Sequence, residues 1–216
     1  MIRHPNDDSL VLFDAADLNL DPAPHPLIDR HRADLRAIVG WAREYLCRPH
    51  PELGRAGPVC PYAQASLERH AFRLAVQEGS GHTVDSLSSL LAPYREWFLD
   101  LAPRGASGSQ WATILVLLPG MRHARDVIDA AQRELKNAYV IHGLMIGEFH
   151  DGPPDKAGLW NPLFRPLRSP VPMLVIRHMV PTDLPFLVSD DQHRTAYHKL
   201  FGDQVPGHLR DLAAKP

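Results

Sequence analysis

Proline decides where this chain can be regular. Twenty-one of the 216 residues are proline, and they cluster. Proline lacks a backbone N–H and has a fixed φ, so Pro-dense segments form neither helix interiors nor central strands. Residues 48–61 (RPHPELGRAGPVCP) and 161–172 (NPLFRPLRSPVP) are therefore loops. A third cluster, DPAPHP at 21–26, closes an Asp-rich opening, and residues 1–26 read as a flexible N-terminal arm.

Regular structure is left to the stretches between these clusters. Residues 27–46 place Leu27, Ile28, Leu35, Ile38, Val39, Ala42 and Leu46 near helical spacing, with charges on the other face. Residues 71–77 alternate as a strand does. Thr83 caps a helix running to about 101, with Pro93 predicting a kink or two pieces. The apolar run 111–118, stopped by Pro119-Gly120, is the clearest strand, and 124–136 follow as a helix. Strands are expected at 144–150 and 173–179, with a 20-residue loop between them. Helices are expected at 190–202 and 205–214. The order predicts an α+β fold: a four-stranded mixed sheet with helices packed mainly on one face and a helical C-terminal tail. Residues 27–216 read as a single domain.

Twenty-three basic side chains meet 25 acidic ones, a formal charge of −2, which gives no electrostatic case for nucleic acid or an anionic membrane. No apolar stretch approaches a bilayer span. The opening residues lack a cationic segment followed by an apolar core, so a cytoplasmic location is expected. Two reduced thiols, Cys47 and Cys60, are then the default, with a Cys47–Cys60 disulfide as the alternative. Rossmann, P-loop and serine-hydrolase motifs do not occur.

Three groups of residues have the chemistry of a site. Cys60, between Val59 and Pro61, offers a soft ligand on a stiff loop, or is simply a small buried apolar residue. In Gly143-Leu-Met-Ile-Gly-Glu-Phe-His150, strand alternation puts Glu148 and His150 on one face, as a base with its orienter or as two metal ligands; the alternative is a solvated strand end. Arg165 and Arg168 sit in the second proline loop, suited to a carboxylate, a phosphate or haem propionates, or else to loop carbonyls. Arg177 and His178 follow on the last strand, where they point to opposite faces.

The Cys-Pro loop, the GLMIGEFH strand and the Arg-Pro loop running into VPMLVIRHM together resemble an uncharacterised bacterial family, mainly actinobacterial, over roughly residues 35–190. More distantly, the early Val-Cys loop, the central strand–helix–strand and the late arginine-rich strand entry resemble the YqcI/YcgG group. Some members of that group are haem-dependent N-oxygenases of specialised metabolism. The chain is shorter than that group, and its iron ligand does not align.

The expected function is thus a haem-dependent oxidoreductase acting on a small amine or amino acid. Glu148 and His150 are its candidate catalytic pair. Cys60, Arg165, Arg168, Arg177 and His178 are candidates for cofactor binding, and Cys60, His150 and His178 for ligating iron or a non-haem metal. The other class is a non-catalytic binding or accessory protein that holds an anionic ligand or a partner through the same two loops. A homodimer is an open alternative to a monomer.

Overall fold

The chain opens with a hairpin, β1 (Ile2–His4) and β2 (Asp7–Leu12), where a flexible arm is expected. Leu10, Val11, Leu12 and Phe13 are buried, and Phe13 exchanges two backbone hydrogen bonds with Leu74, at 2.7 and 2.9 Å. Four consecutive apolar residues supply the burial that orders the segment, while Asp7 and Asp8 stay at its exposed end. The hairpin also covers part of a sheet edge that would otherwise present unpaired backbone groups. The structure is a computed structural model and describes residues 1–155, 161–202 and 204–213.

The main sheet holds β3 (Phe72–Val76), β4 (Thr113–Leu117), β5 (Leu144–Phe149) and β6 (Met173–His178), in the order β3-β4-β6-β5. β3 pairs parallel with β4, and β6 runs antiparallel to both of its neighbours. Hence β3, β4 and β5 point one way. The α+β expectation and its four-stranded mixed sheet hold, with each strand within two residues of its predicted ends.

Helices lie over both faces. α1 (Pro26–Trp41) packs Ile28, Leu35 and Ile38 onto Leu74, Leu115 and Leu117. It continues as a π turn over Ala42–Leu46, and α2 (Ala63–Glu68) follows the Cys-Pro loop. α3 (Val84–Leu101) and α4 (Arg125–Val140) cover the opposite face with Leu91, Trp97, Phe98, Ile128 and Tyr139. Strands such as TILVL are apolar on both sides, so cover on one face alone would leave the other wet. Thr83 and Ser86 form a reciprocal capping box, and α3 passes through Pro93 as one element. α5 (Asp191–Phe201) and α6 (Arg210–Ala213) complete the predicted helical tail around Met145, Met179 and Tyr197.

Where the turns after β3 and β4 meet, backbone touches backbone. A Cβ on Gly120 would stand 2.3 Å from the Gly79 carbonyl oxygen, so only glycine fits there. Among the described residues, no helix is long and apolar enough to cross a membrane.

Candidate functional site

Glu148 and His150 lie on alternate positions at the end of β5, on the side that α4 covers. Both are buried. The His150 Nε2 lies 2.9 Å from Asp129 Oδ1 on α4, and its Nδ1 accepts the Gly152 N–H at 3.2 Å. Because Nδ1 accepts, Nε2 carries the proton and donates to Asp129. Both ring nitrogens are therefore committed. The ring fixes the turn after β5 and keeps no lone pair free for a metal or for a substrate proton. Asp129 is the partner that sequence reasoning missed, since a carboxylate on the polar side of an amphipathic helix carries no distinguishing signal.

In the Arg-Pro loop, Arg165 bonds the carbonyls of Pro162 (2.8 Å) and Phe164 (3.3 Å) and pairs with Asp155. These contacts satisfy its fork locally. Arg168 is exposed, and among the described residues its guanidinium has no partner. The Arg168 carbonyl accepts the Trp41 indole N–H at 3.1 Å, while Arg168 pairs as a bridge with His150. The loop thus closes over the end of α1. Residues 156–160 of the predicted loop lie outside the described residues.

Cys60 belongs to the α1 side of the sheet, within electrostatic reach of Arg177 and Tyr62. Arg177 is held bidentately by buried Asp183, at 2.6 and 2.7 Å. Burial alone would lower the Arg177 pKa, but the facing carboxylate outweighs it and drives the value upward. The pair anchors the 3-10 turn Pro181–Phe186 to β6. His178 points through the opposite face, as expected. Its Nε2 donates to the Ala102 carbonyl (2.8 Å), its ring meets Phe98 edge-on at 5.0 Å, and its buried Nδ1 has no hydrogen-bond partner among the described residues. Burial, helped by Arg104 and opposed by the Ala102 bond, holds the imidazole below its ordinary pKa.

The residues expected to hold haem therefore occupy four places: Cys60 with Arg177, His178 behind Phe98, His150 against α4, and Arg165 with Arg168 over α1. They do not converge on one cavity, and Arg165, Arg177 and His150 already have partners. This arrangement does not fit haem. Among the described residues, no three His, Cys, Asp or Glu side chains are placed to share a metal ion.

A cavity of about 410 Å³ does open on the α3 side, at the start of β3 and β4. Its walls include Arg69, His70, Arg73, Phe98, Ala102, Ser107, Gly108, Ser109 and Thr113, with Ile2 of the hairpin. The Arg69 guanidinium carbon lies 5.8 Å from the centre of the Trp111 ring, and this arginine has no carboxylate or hydrogen-bond acceptor among the described residues. His70 has φ +54, the left-handed conformation, just beyond the end of α2 where glycine is usual. It and Arg73 share one carboxylate, Asp14, at 3.2 and 3.3 Å. Burial works against the Asp14 charge, but the Ala16 N–H, His70 and Arg73 together hold its carboxyl below the usual range.

Residues 35–212 match the family described as a domain of unknown function, DUF6875. The chain belongs to this family. The sequence likeness to an uncharacterised family holds at that level. No curated protein and no solved structure matches the chain. Within this DUF6875 chain, the basic wall of the cavity falls inside the matched residues, whereas Ile2 and Asp14 precede them. Sequence reasoning did not single out Arg69 or His70. The available signal was Arg69-His70 followed by Arg73, a charge interrupting an otherwise apolar strand.

Proposed function

We propose that this protein binds a small organic anion, one bearing a carboxylate or a phosphate, in the cavity walled by Arg69, His70 and Arg73. The observation that carries the reading is the charge balance of the wall. His70 and Arg73 share one carboxylate, Asp14, whereas Arg69 has none among the described residues and rests on Trp111 with its donors unspent there. An arginine fork suits a planar or tetrahedral oxyanion, and the stacked ring positions it. The Ser107 and Ser109 hydroxyls can receive the ligand's polar remainder, and Phe98 with Ala102 its apolar part. The volume lies within the range of small-molecule sites, roughly 300–1,000 Å³. His70 in a conformation rare for non-glycine residues adds support, because such residues gather at ligand clamps.

This reading keeps the binding-protein class and moves it from the two proline loops to the start of the sheet. Thermal-shift and calorimetric titrations of the purified chain with dicarboxylates, sugar phosphates and inorganic phosphate test it, beside a hemin arm read by absorbance. The expected result is saturable, salt-sensitive binding of at least one organic anion, weakened tenfold or more in Arg69→Ala. Anion binding unchanged by Arg69→Ala and Arg73→Ala would overturn the assignment, as would no anion binding at all. A saturable Soret band from hemin, with no anion binding, would return the assignment to haem.

A further inference from the structure

The last residues of the Cys-Pro loop fold back along the end of the π turn. Val59 N–H donates to the Arg48 carbonyl and Cys60 N–H to the Leu46 carbonyl, both at 2.9 Å, and Pro49 pairs with Pro58 as an antiparallel bridge. Cys47, at the helical end of the π turn, lies between the two accepting residues and within electrostatic reach of Cys60. These bonds to the residues on both sides of Cys47 hold the two cysteine backbones side by side, the close approach a disulfide needs, with Cα atoms about 4.4–6.8 Å apart. Both thiols pack against the apolar cluster on the α1 side, and both are half-buried, so an oxidant can reach them.

We propose that Cys47 and Cys60 are a reversible redox pair, closing to an intramolecular disulfide by exchange with a low-molecular-weight disulfide such as oxidised glutathione. In the first step a cysteine thiolate attacks one sulfur of the reagent, forming a mixed disulfide and expelling one glutathione thiolate. The second cysteine, having lost its proton, then attacks the protein-side sulfur and expels the other glutathione thiolate. The two protein thiols lose two electrons and two protons in all, and the reagent gains the electrons. Burial, reinforced by neighbouring Cys60, raises the Cys47 thiol and disfavours its thiolate, which assigns the first attack to Cys60.

The pairing has a structural consequence. A Cys47–Cys60 bond would close the loop carrying Pro49, His50, Leu53 and Gly57 onto the end of the first helix, adding a covalent tie to its backbone hydrogen bonds, the buried Leu53 and Val59, the Asn161–Glu52 bond and the His50–Phe164 stack. Oxidation would staple this loop; reduction would release it.

The test uses the full chain equilibrated with glutathione buffers of graded ratio, then alkylated and mapped by mass spectrometry without reduction. The expected result is a linked Cys47–Cys60 peptide that grows with oxidant and disappears with dithiothreitol, while thiols fall from two to none. In Cys47→Ser the expected product is a persistent glutathione adduct on Cys60. Two free thiols in excess oxidised glutathione would overturn the proposal. So would a stable mixed disulfide on the unmodified chain, or intermolecular dimers alone.

Discussion

Arg177 grips Asp183 with both arms of its guanidinium, at 2.6 and 2.7 Å, while the same carboxylate accepts the Val180 N–H at 2.9 Å. One side chain thus ties the end of β6 to the turn that follows it, and Asp183 is almost wholly buried. Asp183→Ala leaves Arg177 only the His178 carbonyl and is expected to cost about 2 kcal/mol, below the roughly 3–5 kcal/mol of a fully buried pair, because the arginine side chain is 34% exposed. Arg177→Lys keeps the charge, loses the fork and should lie between wild type and Asp183→Ala. Urea unfolding midpoints of the three chains check the order.

The pH dependence follows from buried histidines. His178 is held neutral in the fold, with burial as the main cause, whereas the unfolded chain takes up its proton near the ordinary value of 6.5. A lowered folded pKa means that the stability due to neutral His178 is complete above about 6.5 and is lost as pH falls through the lower folded value. His193 and His25, also lowered chiefly by burial, act in the same direction. His178→Gln retains a donor for the Ala102 carbonyl and does not titrate. Its Tm should therefore fall less than that of wild type on moving from above this window to below it, and equal losses would count against the assignment.

The meeting of Gly79 and Gly120 predicts a sharp intolerance. Gly120→Ala places a methyl carbon against backbone, which cannot move aside as a side chain would. The expected loss is about 2–3 kcal/mol by overpacking, read as a lower midpoint of chemical unfolding.

The hairpin is part of the core and not an appendage. Phe13 is fully buried on the α1 side of the sheet, so Phe13→Ala should cost about 3–5 kcal/mol. A chain whose midpoint barely moved would restore the picture of a loose arm.

Trp111 carries Arg69 without itself bearing charge. Trp111→Leu removes the ring beneath the guanidinium, a contact of about 0.5–1 kcal/mol, and should weaken anion binding a few-fold. Tyr62 also packs on Trp111, at 5.7 Å, so an unfolding measurement is needed beside the titration to separate lost binding from lost packing.

Much of the fold was legible because it is local. The run over 111–118, the Thr83 cap and the alternation before His150 each express a preference that neighbouring residues satisfy among themselves. That Glu148 shares a side with His150, and that Arg177 and His178 diverge, follows from the two-residue period of a strand. The hairpin is not legible locally because its aspartates and the prolines at 21–26 outweigh four apolar residues, the last of which, Phe13, pairs with Leu74, 61 residues away.

By itself, the sequence determined the number and order of the main strands, the helical tail and the places where proline forbids regular structure. These depend on backbone chemistry and on periodicity within a dozen residues. Only the tertiary structure decided what the polar groups do. Arg165 is spent on loop carbonyls, Arg177 on Asp183 and His150 on Asp129, while Arg69, among the described residues, is left with open donors beside a cavity. A charged side chain carries the same donors wherever it stands. Whether those donors remain available to a ligand depends on which acceptor the fold brings within hydrogen-bond distance, and that acceptor lies elsewhere along the chain.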